Sequence, residues 1–146
     1  MFLNADVDIT NELLEQCVAE ATQRGLDAAS PLSKSGGYNK PLPSFASLLV
    51  EFSPLRNITP EVIFRKKTLF GGALLIKSEV FFNMSGWDER FFVWFEDSDL
   101  TKRLHVQGAQ VGWLHYQVGH KGGASFTGIS HARRSAIFFS VAFYLS

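Results

Sequence analysis

Leu69-Phe70-Gly71-Gly72-Ala73-Leu74-Leu75-Ile76 decides how the rest of the chain is read. The run is apolar on both alternations, short, and broken only by two glycines, which reads as a buried strand. Ser78 then stands where it can cap a short helix through about Met84, which Gly86 stops. Working outward, residues 96–107 fit a second helix, with Leu100, Leu104 and Val106 facing in and Gly108 as the stop. Ala109 to Leu114 reads as another strand. Upstream, Thr10 can cap a helix from Asn11, along which Leu13, Leu14, Cys17, Val18 and Ala21 recur at helical spacing until Gly25. Residues 2–5 read as the tail of a buried strand. Residues 27–60, with five prolines and Gly36-Gly37, read as loop, with a short helix within 44–52. Residues 119–128 read as a loop and residues 129–145 as a helix. Strands and helices alternate, so the class is α/β, a mixed sheet flanked by helices.

Composition narrows the functions. Fourteen Lys+Arg balance fourteen Asp+Glu in 146 residues, so no bulk field points to nucleic acid or an anionic membrane. Hydrophobic residues at 46% and charged residues at 19% exclude a disordered chain. The single Cys17 excludes an internal disulfide or a cysteine zinc cluster, and it lies on the apolar stripe of its helix. The first residues lack the pattern of a secretory signal, and no stretch reaches the roughly 20 apolar residues of a membrane span. Residues 136–145 are nevertheless very apolar and follow Arg133-Arg134. They fit a helix packed on the core, or one that contacts a membrane.

Phe81, Phe82, Trp87, Phe91, Phe92, Trp94 and Phe95 crowd one stretch, interleaved with Asp88, Glu89, Glu96, Asp97 and Asp99. Apolar walls strengthen electrostatics and shift carboxyl pKa values, and aromatic faces stack on sugar rings. Core aromatics with surface acids remain the plainer alternative. Glu96-Asp97 stands at a helix start, where free N–H groups and the helix dipole hold a carboxylate ionised and fixed in direction. That suits a general base, or simple N-capping. Asp99 and Arg103 are four apart and can pair along the helix. Asn4-Ala5-Asp6-Val7-Asp8 places carboxylates just past a strand end, where a hard divalent cation such as Mg²⁺ or Mn²⁺ is at home. An imidazole from His120 beside them would favour Mn²⁺. Lys121 and backbone amides of the following glycines could hold a phosphate.

In order along the chain, these pieces resemble the family 2 GT-A glycosyltransferases, most nearly the bacterial rhamnosyltransferase-like branch. Phe2-Leu3-Asn4-Ala5-Asp6-Val7 resembles their aspartate motif, and Phe70-Gly71-Gly72-Ala73-Leu74-Leu75-Ile76-Lys77 their glycine-bearing strand. Gly86-Trp87-Asp88-Glu89-Arg90-Phe91-Phe92 resembles the Gly-aromatic-Asp-Glu-x-Phe segment. Phe95-Glu96-Asp97-Ser98-Asp99-Leu100-Thr101-Lys102-Arg103-Leu104 resembles the Glu-Asp-x-Asp-Leu-x-x-Arg motif, and His120 with Gly122, Gly123 and Ser125 the late histidine loop.

The resemblance implies a partial GT-A (nucleotide-diphospho-sugar transferase) fold over residues 1–128, followed by a C-terminal helix, 129–146. It implies transfer of a sugar, with inversion and metal assistance, from a nucleotide-diphosphate sugar to a saccharide acceptor. Asp97 then corresponds to the catalytic base, and Asp6 and His120 to ligands of Mn²⁺ or Mg²⁺. Asp8, one register along, stays open as the metal ligand. Trp87, Asp88, Glu89 and Glu96 fall at the acceptor; Gly71, Gly72 and Lys121 at the donor or phosphate, although a strand bulge would also account for the glycines. In that family the elements that bind the nucleotide precede the aspartate motif, and that half is missing here. The expectations are therefore a chain nearly inactive alone, a homo-oligomer that covers an exposed sheet edge, and a cytoplasmic location, at the inner membrane face if the last helix touches lipid. A non-catalytic carbohydrate-binding or structural remnant is the alternative. A glycoside hydrolase is disfavoured, because neighbouring Glu96 and Asp97 cannot flank one bond, although Asp88 with Asp97 could.

Overall fold

The computed structural model describes residues 1–34, 41–44, 66–91, 95–120 and 144. The expectations for residues 45–52, 92–94, 121–128 and 129–146 apart from Tyr144, including Lys121, lie outside the described residues. The described elements are β1 (Phe2–Leu3), β2 (Val7–Asp8), α1 (Asn11–Gln23), β3 (Ala28–Ser33), β4 (Ala73–Ile76), α2 (Ser78–Asn83), α3 (Glu96–Val106) and β5 (Val111–His120). They form a mixed five-stranded sheet in the order β1-β4-β3-β5-β2. β3 and β5 are parallel, and the other neighbours are antiparallel.

Period-two alternation sends side chains to both faces. Ala28 and Leu74 pack with Leu69, Met84, Leu100 and Leu104 on the side of α2 and α3. Ala29, Leu75 and Leu114 pack with Cys17, Leu13 and Ala21 of α1 on the other. The helix starts differ. Thr10 is extended and its hydroxyl accepts from Leu13 N at 3.2 Å, an ordinary N-cap. α1 ends at Gly25 and α3 at Gly108, both left-handed.

Several readings need correction. Residues 27–60 are not all loop, because Ala28–Ser33 is a buried strand in the sheet interior. Its Pro31 is tolerated because the register with β5 jumps there: Ser30 faces Trp113 and Leu32 faces Gln117, so no ladder N–H is lost. Residues 69–72 are not strand; Gly71-Gly72 form a turn, and β4 begins at Ala73. Ser78 is the first helical residue, and Lys77 stands at the cap without a side-chain capping bond, its Nζ reaching Asp27 Oδ1 at 2.7 Å instead. Val18 and Val106 point outward, Val106 with 80% of its surface exposed. β5 extends to His120, so Gly119 and His120 are strand residues and His115 lies mid-strand, its Nδ1 2.6 Å from Glu20 Oε1. No helix among the described residues is long and apolar enough to cross a membrane.

Candidate functional site

The parallel pair β3–β5 puts two carboxyl ends at one end of the sheet, which is also where antiparallel β4 begins. The chain bridges this end: Leu3 pairs with Ala73 at the start of β4, and Val7 pairs with His120 at the end of β5. Between them, Asn4 to Val7 closes a turn, with Val7 N donating to Asn4 O at 3.1 Å. Asn4 N donates to Gly72 O at 2.9 Å, which ties that turn to the turn at residues 71–72. Ligands of open α/β sheets bind outside such carboxyl ends.

Asp6 projects from the turn to His120, with Oδ2 3.2 Å from Nε2. The His120 side chain retains only 4% of its exposure, and its ring meets the Phe70 ring edge-on at 5.1 Å. Asp8 does not join them; it is exposed on β2 and faces Gly119. Of the two aspartates, Asp6 is therefore the one in contact with the imidazole.

The Phe70–Gly72 segment joins this pair to Asp97. Side-chain hydroxyls pin its approach: Leu69 N donates to Thr101 Oγ1 (3.1 Å) and Phe70 N to Ser30 Oγ (2.9 Å). Thr101 Oγ1 in turn donates to Asp97 O at 2.7 Å. Buried backbone donors are thus satisfied without a strand ladder. A Cβ on Gly71 would stand 2.9 Å from Asp97 Cβ, and one on Gly72 2.4 Å from the Phe70 ring. The close approach that these glycines permit is therefore to the protein's own Asp97 and Phe70. Asp97 Oδ1 accepts from Ser98 N at 2.7 Å, which fixes the carboxylate in direction.

α3 starts from an unusual residue. Phe95 is left-handed, φ +69°, and makes no side-chain cap bond. For a bulky non-glycine residue this backbone costs about 1–3 kcal/mol and persists only where surrounding structure imposes it. Glu96 follows. Burial, reinforced by the Asp97 charge, pushes its carboxyl up to about 7. Its buried Oε2 has no hydrogen-bond partner among the described residues.

The segment after α2 is held differently. Asp88 takes a two-pronged contact from Arg90, with Nε at 3.0 Å from Oδ1 and Nη2 at 2.6 Å from Oδ2. That guanidinium lowers the Asp88 pKa. Trp87 packs on Phe2 and Phe81 at ring distances of 5.5 and 6.0 Å, and Glu89 is exposed. Arg103 ties this segment to α3: Nε donates to Asp99 Oδ2 (2.7 Å), and Nη1 to Met84 O (2.9 Å) and Gly86 O (3.0 Å). The Asp99–Arg103 pair expected from spacing is thus present, with a wider reach than spacing could show.

The structure therefore brings Asp6, His120, Phe70, Gly71, Gly72 and Asp97 to one end of the sheet. Sequence reasoning missed Phe70 beside His120 and Tyr144 beside Phe95, the latter pair at 5.6 Å. Neither contact has a local sequence signal, since each joins residues about fifty positions apart. Among the described residues no group of three or more His, Cys, Asp or Glu side chains stands ready for a metal ion. Asp6 and His120 form a two-membered donor set.

Residues 57–122, somewhat under half of the chain, match a family described as the N-terminal domain of galactosyltransferase. The match takes in Phe70–Gly72, Asp88, Glu89, Asp97 and His120, and leaves out Asp6. It supports a glycosyltransferase domain and a role in glycosyl transfer in general. It names galactosyltransferase rather than the rhamnosyltransferase-like branch. No curated protein and no solved structure matches the chain.

Proposed function

We propose that the chain works in inverting, metal-assisted glycosyl transfer from a nucleotide-diphosphate sugar to a saccharide acceptor, with Asp97 as the base. The observation that carries this is the meeting of the Asp6–His120 pair and Asp97 around the Phe70–Gly72 turn. Asp97 takes the proton from an acceptor hydroxyl as that oxygen attacks the anomeric carbon, and the diphosphate leaves from the opposite face. General-base catalysis contributes about 10²–10⁴-fold. Glu96, Trp87, Asp88 and Glu89 belong to the acceptor side, and Lys121, outside the described residues, to the phosphates.

A divalent cation fits the Asp6–His120 pair. The observed Oδ2–Nε2 separation is 3.2 Å. Hard cations with one carboxylate commonly complete their shell with substrate phosphates and water, and the imidazole favours Mn²⁺. Such an ion would supply positive charge for the leaving diphosphate.

The family match raises a galactosyl donor, and the family 2 resemblance a rhamnosyl donor. A nucleotide-sugar donor fits a cytoplasmic setting, and the apolar residues 136–145 fit contact with the inner membrane face. β1 forms one edge of the sheet, where a second copy of the chain can pair. Transfer from UDP-galactose and dTDP-rhamnose to a panel of saccharides, with Mn²⁺ present, tests the reading. The expected result is weak turnover, as expected of the chain alone, that Asp97→Asn lowers further, together with Mn²⁺-dependent nucleotide binding. Turnover unchanged in Asp97→Asn, or saccharide binding with neither turnover nor Mn²⁺-dependent nucleotide binding, overturns it.

A further inference from the structure

Most helices start from an extended residue whose side chain bonds the first turn, as Thr10 does for α1. α3 does not. Phe95 precedes it in left-handed backbone with no side-chain cap, so no capping side chain sets the direction in which α3 leaves. The restraint must come from elsewhere in the fold.

Tyr144 stands where that restraint is needed. Its ring meets Phe95 at 5.6 Å, tilted by 47°, and shares a buried cluster with Phe91. Its hydroxyl donates to Pro43 O at 2.8 Å, and Lys102 Nζ lies 4.7 Å from the ring centre. Only 5% of Tyr144 is exposed. One ring thus joins the two residues flanking 92–94, a distant backbone carbonyl and the second turn of α3. The Phe95 carbonyl reports on the result, because it accepts the first bond of α3, from Asp99 N at 2.8 Å.

We propose that Tyr144 is a positioning residue for Glu96 and Asp97: it holds Phe95 in the left-handed backbone from which α3 starts, and so fixes where the two carboxylates stand. Tyr144 touches no substrate in this role. The proposal rests on Asp97 being the base only for its kinetic readout, and its structural readout stands without any substrate.

Amide hydrogen exchange in the full chain provides the test, comparing Tyr144→Phe, Tyr144→Leu and Tyr144→Ala with the parent. The Asp99 amide reports on Phe95; the Leu14 amide, bonded to Thr10 O, and the Lys77 amide, bonded to Asp27 O, are references. In Tyr144→Leu and Tyr144→Ala, Asp99 exchange rises about tenfold while the references stay within about twofold. Tyr144→Phe keeps the ring and stays within about threefold of the parent. Where transfer is measured, Tyr144→Leu lowers kcat about tenfold with donor KM within about twofold. Unchanged Asp99 exchange, or a rise shared equally by Leu14 and Lys77, overturns the proposal and leaves Tyr144 an anchor of its own segment. Loss of rate through KM alone also overturns it. If Tyr144→Ala does not fold, Tyr144→Leu decides. A parent chain that transfers no sugar matches the near-inactivity expected of the chain alone and leaves the exchange result to decide this inference.

Discussion

Glu96 is a largely but not wholly buried carboxyl, with Oε2 unbonded among the described residues and a second acid beside it. Burial first, and the Asp97 charge second, push it up to about 7 from 4.5. Between these values the folded protein holds a proton that the unfolded chain has released. The stabilising contribution is therefore full below about pH 4.5 and is lost as pH rises through about 7; it is on the order of 3 kcal/mol. Urea unfolding between pH 4 and 8 checks this. The parent should lose on the order of 3 kcal/mol more than Glu96→Gln across that range, and equal slopes would contradict the burial of Glu96. At this scale the sequence was legible in type but not in contact. Asp6, Asp97 and His120 stand out as carboxylates and an imidazole near element ends. That Gly71 makes room for Asp97 is a through-space fact with no local pattern. The left-handed Phe95 is hidden for the opposite reason, since its side chain argues for another backbone.

Among the elements, the helices could be read and two strands, β2 and β3, could not. α1 and α3 announce themselves by a cap or acidic first turn, apolar spacing and a terminal glycine. β3 hides because Ala28-Ala29-Ser30-Pro31 lacks β-branched residues and carries a proline, so its composition is that of a loop. Burial on both faces decides its conformation: Ala28 packs toward α2 and α3, and Ala29 toward α1. The small side chains let both helical layers approach the sheet. Arg103 shows how elements are joined. Its guanidinium reaches from α3 to the carbonyls of Met84 and Gly86, on either side of Ser85, whose φ is +62°. Arg103→Ala strips two carbonyls and the Asp99 carboxylate of their donor, and should lower stability by about 1–3 kcal/mol in thermal or urea unfolding. Arg103→Lys keeps the charge but loses the planar fork, so it should recover only part of that loss. Full recovery by lysine would show that charge, and not the fork, holds the segment.

Across the whole molecule, residues 2–7 carry the chain from the start of β4 to the end of β5. A short stretch thereby closes one end of the sheet, and its midpoint delivers Asp6 to His120. An ion held by this pair would tie residues far apart in sequence, so it would bind the folded chain and not the unfolded one. Binding of that kind stabilises by RT ln(1 + [L]/Kd), about 2.7 kcal/mol when the ligand is at 100 times its Kd. In a domain of this size each kcal/mol moves the Tm by roughly 2–4 °C, so saturation at that level should raise it by roughly 5–10 °C. With two protein donors among the described residues, most of the shift should require a nucleoside diphosphate to complete the shell. Mn²⁺ alone should do little, and Mn²⁺ with the diphosphate should produce the rise. Asp6→Ala and His120→Ala should each abolish it, while Asp8→Ala, altering an exposed residue that faces Gly119, should leave it in place. A shift that survives His120→Ala would remove the imidazole from the donor set, and one lost in Asp8→Ala alone would move the site one register along the chain.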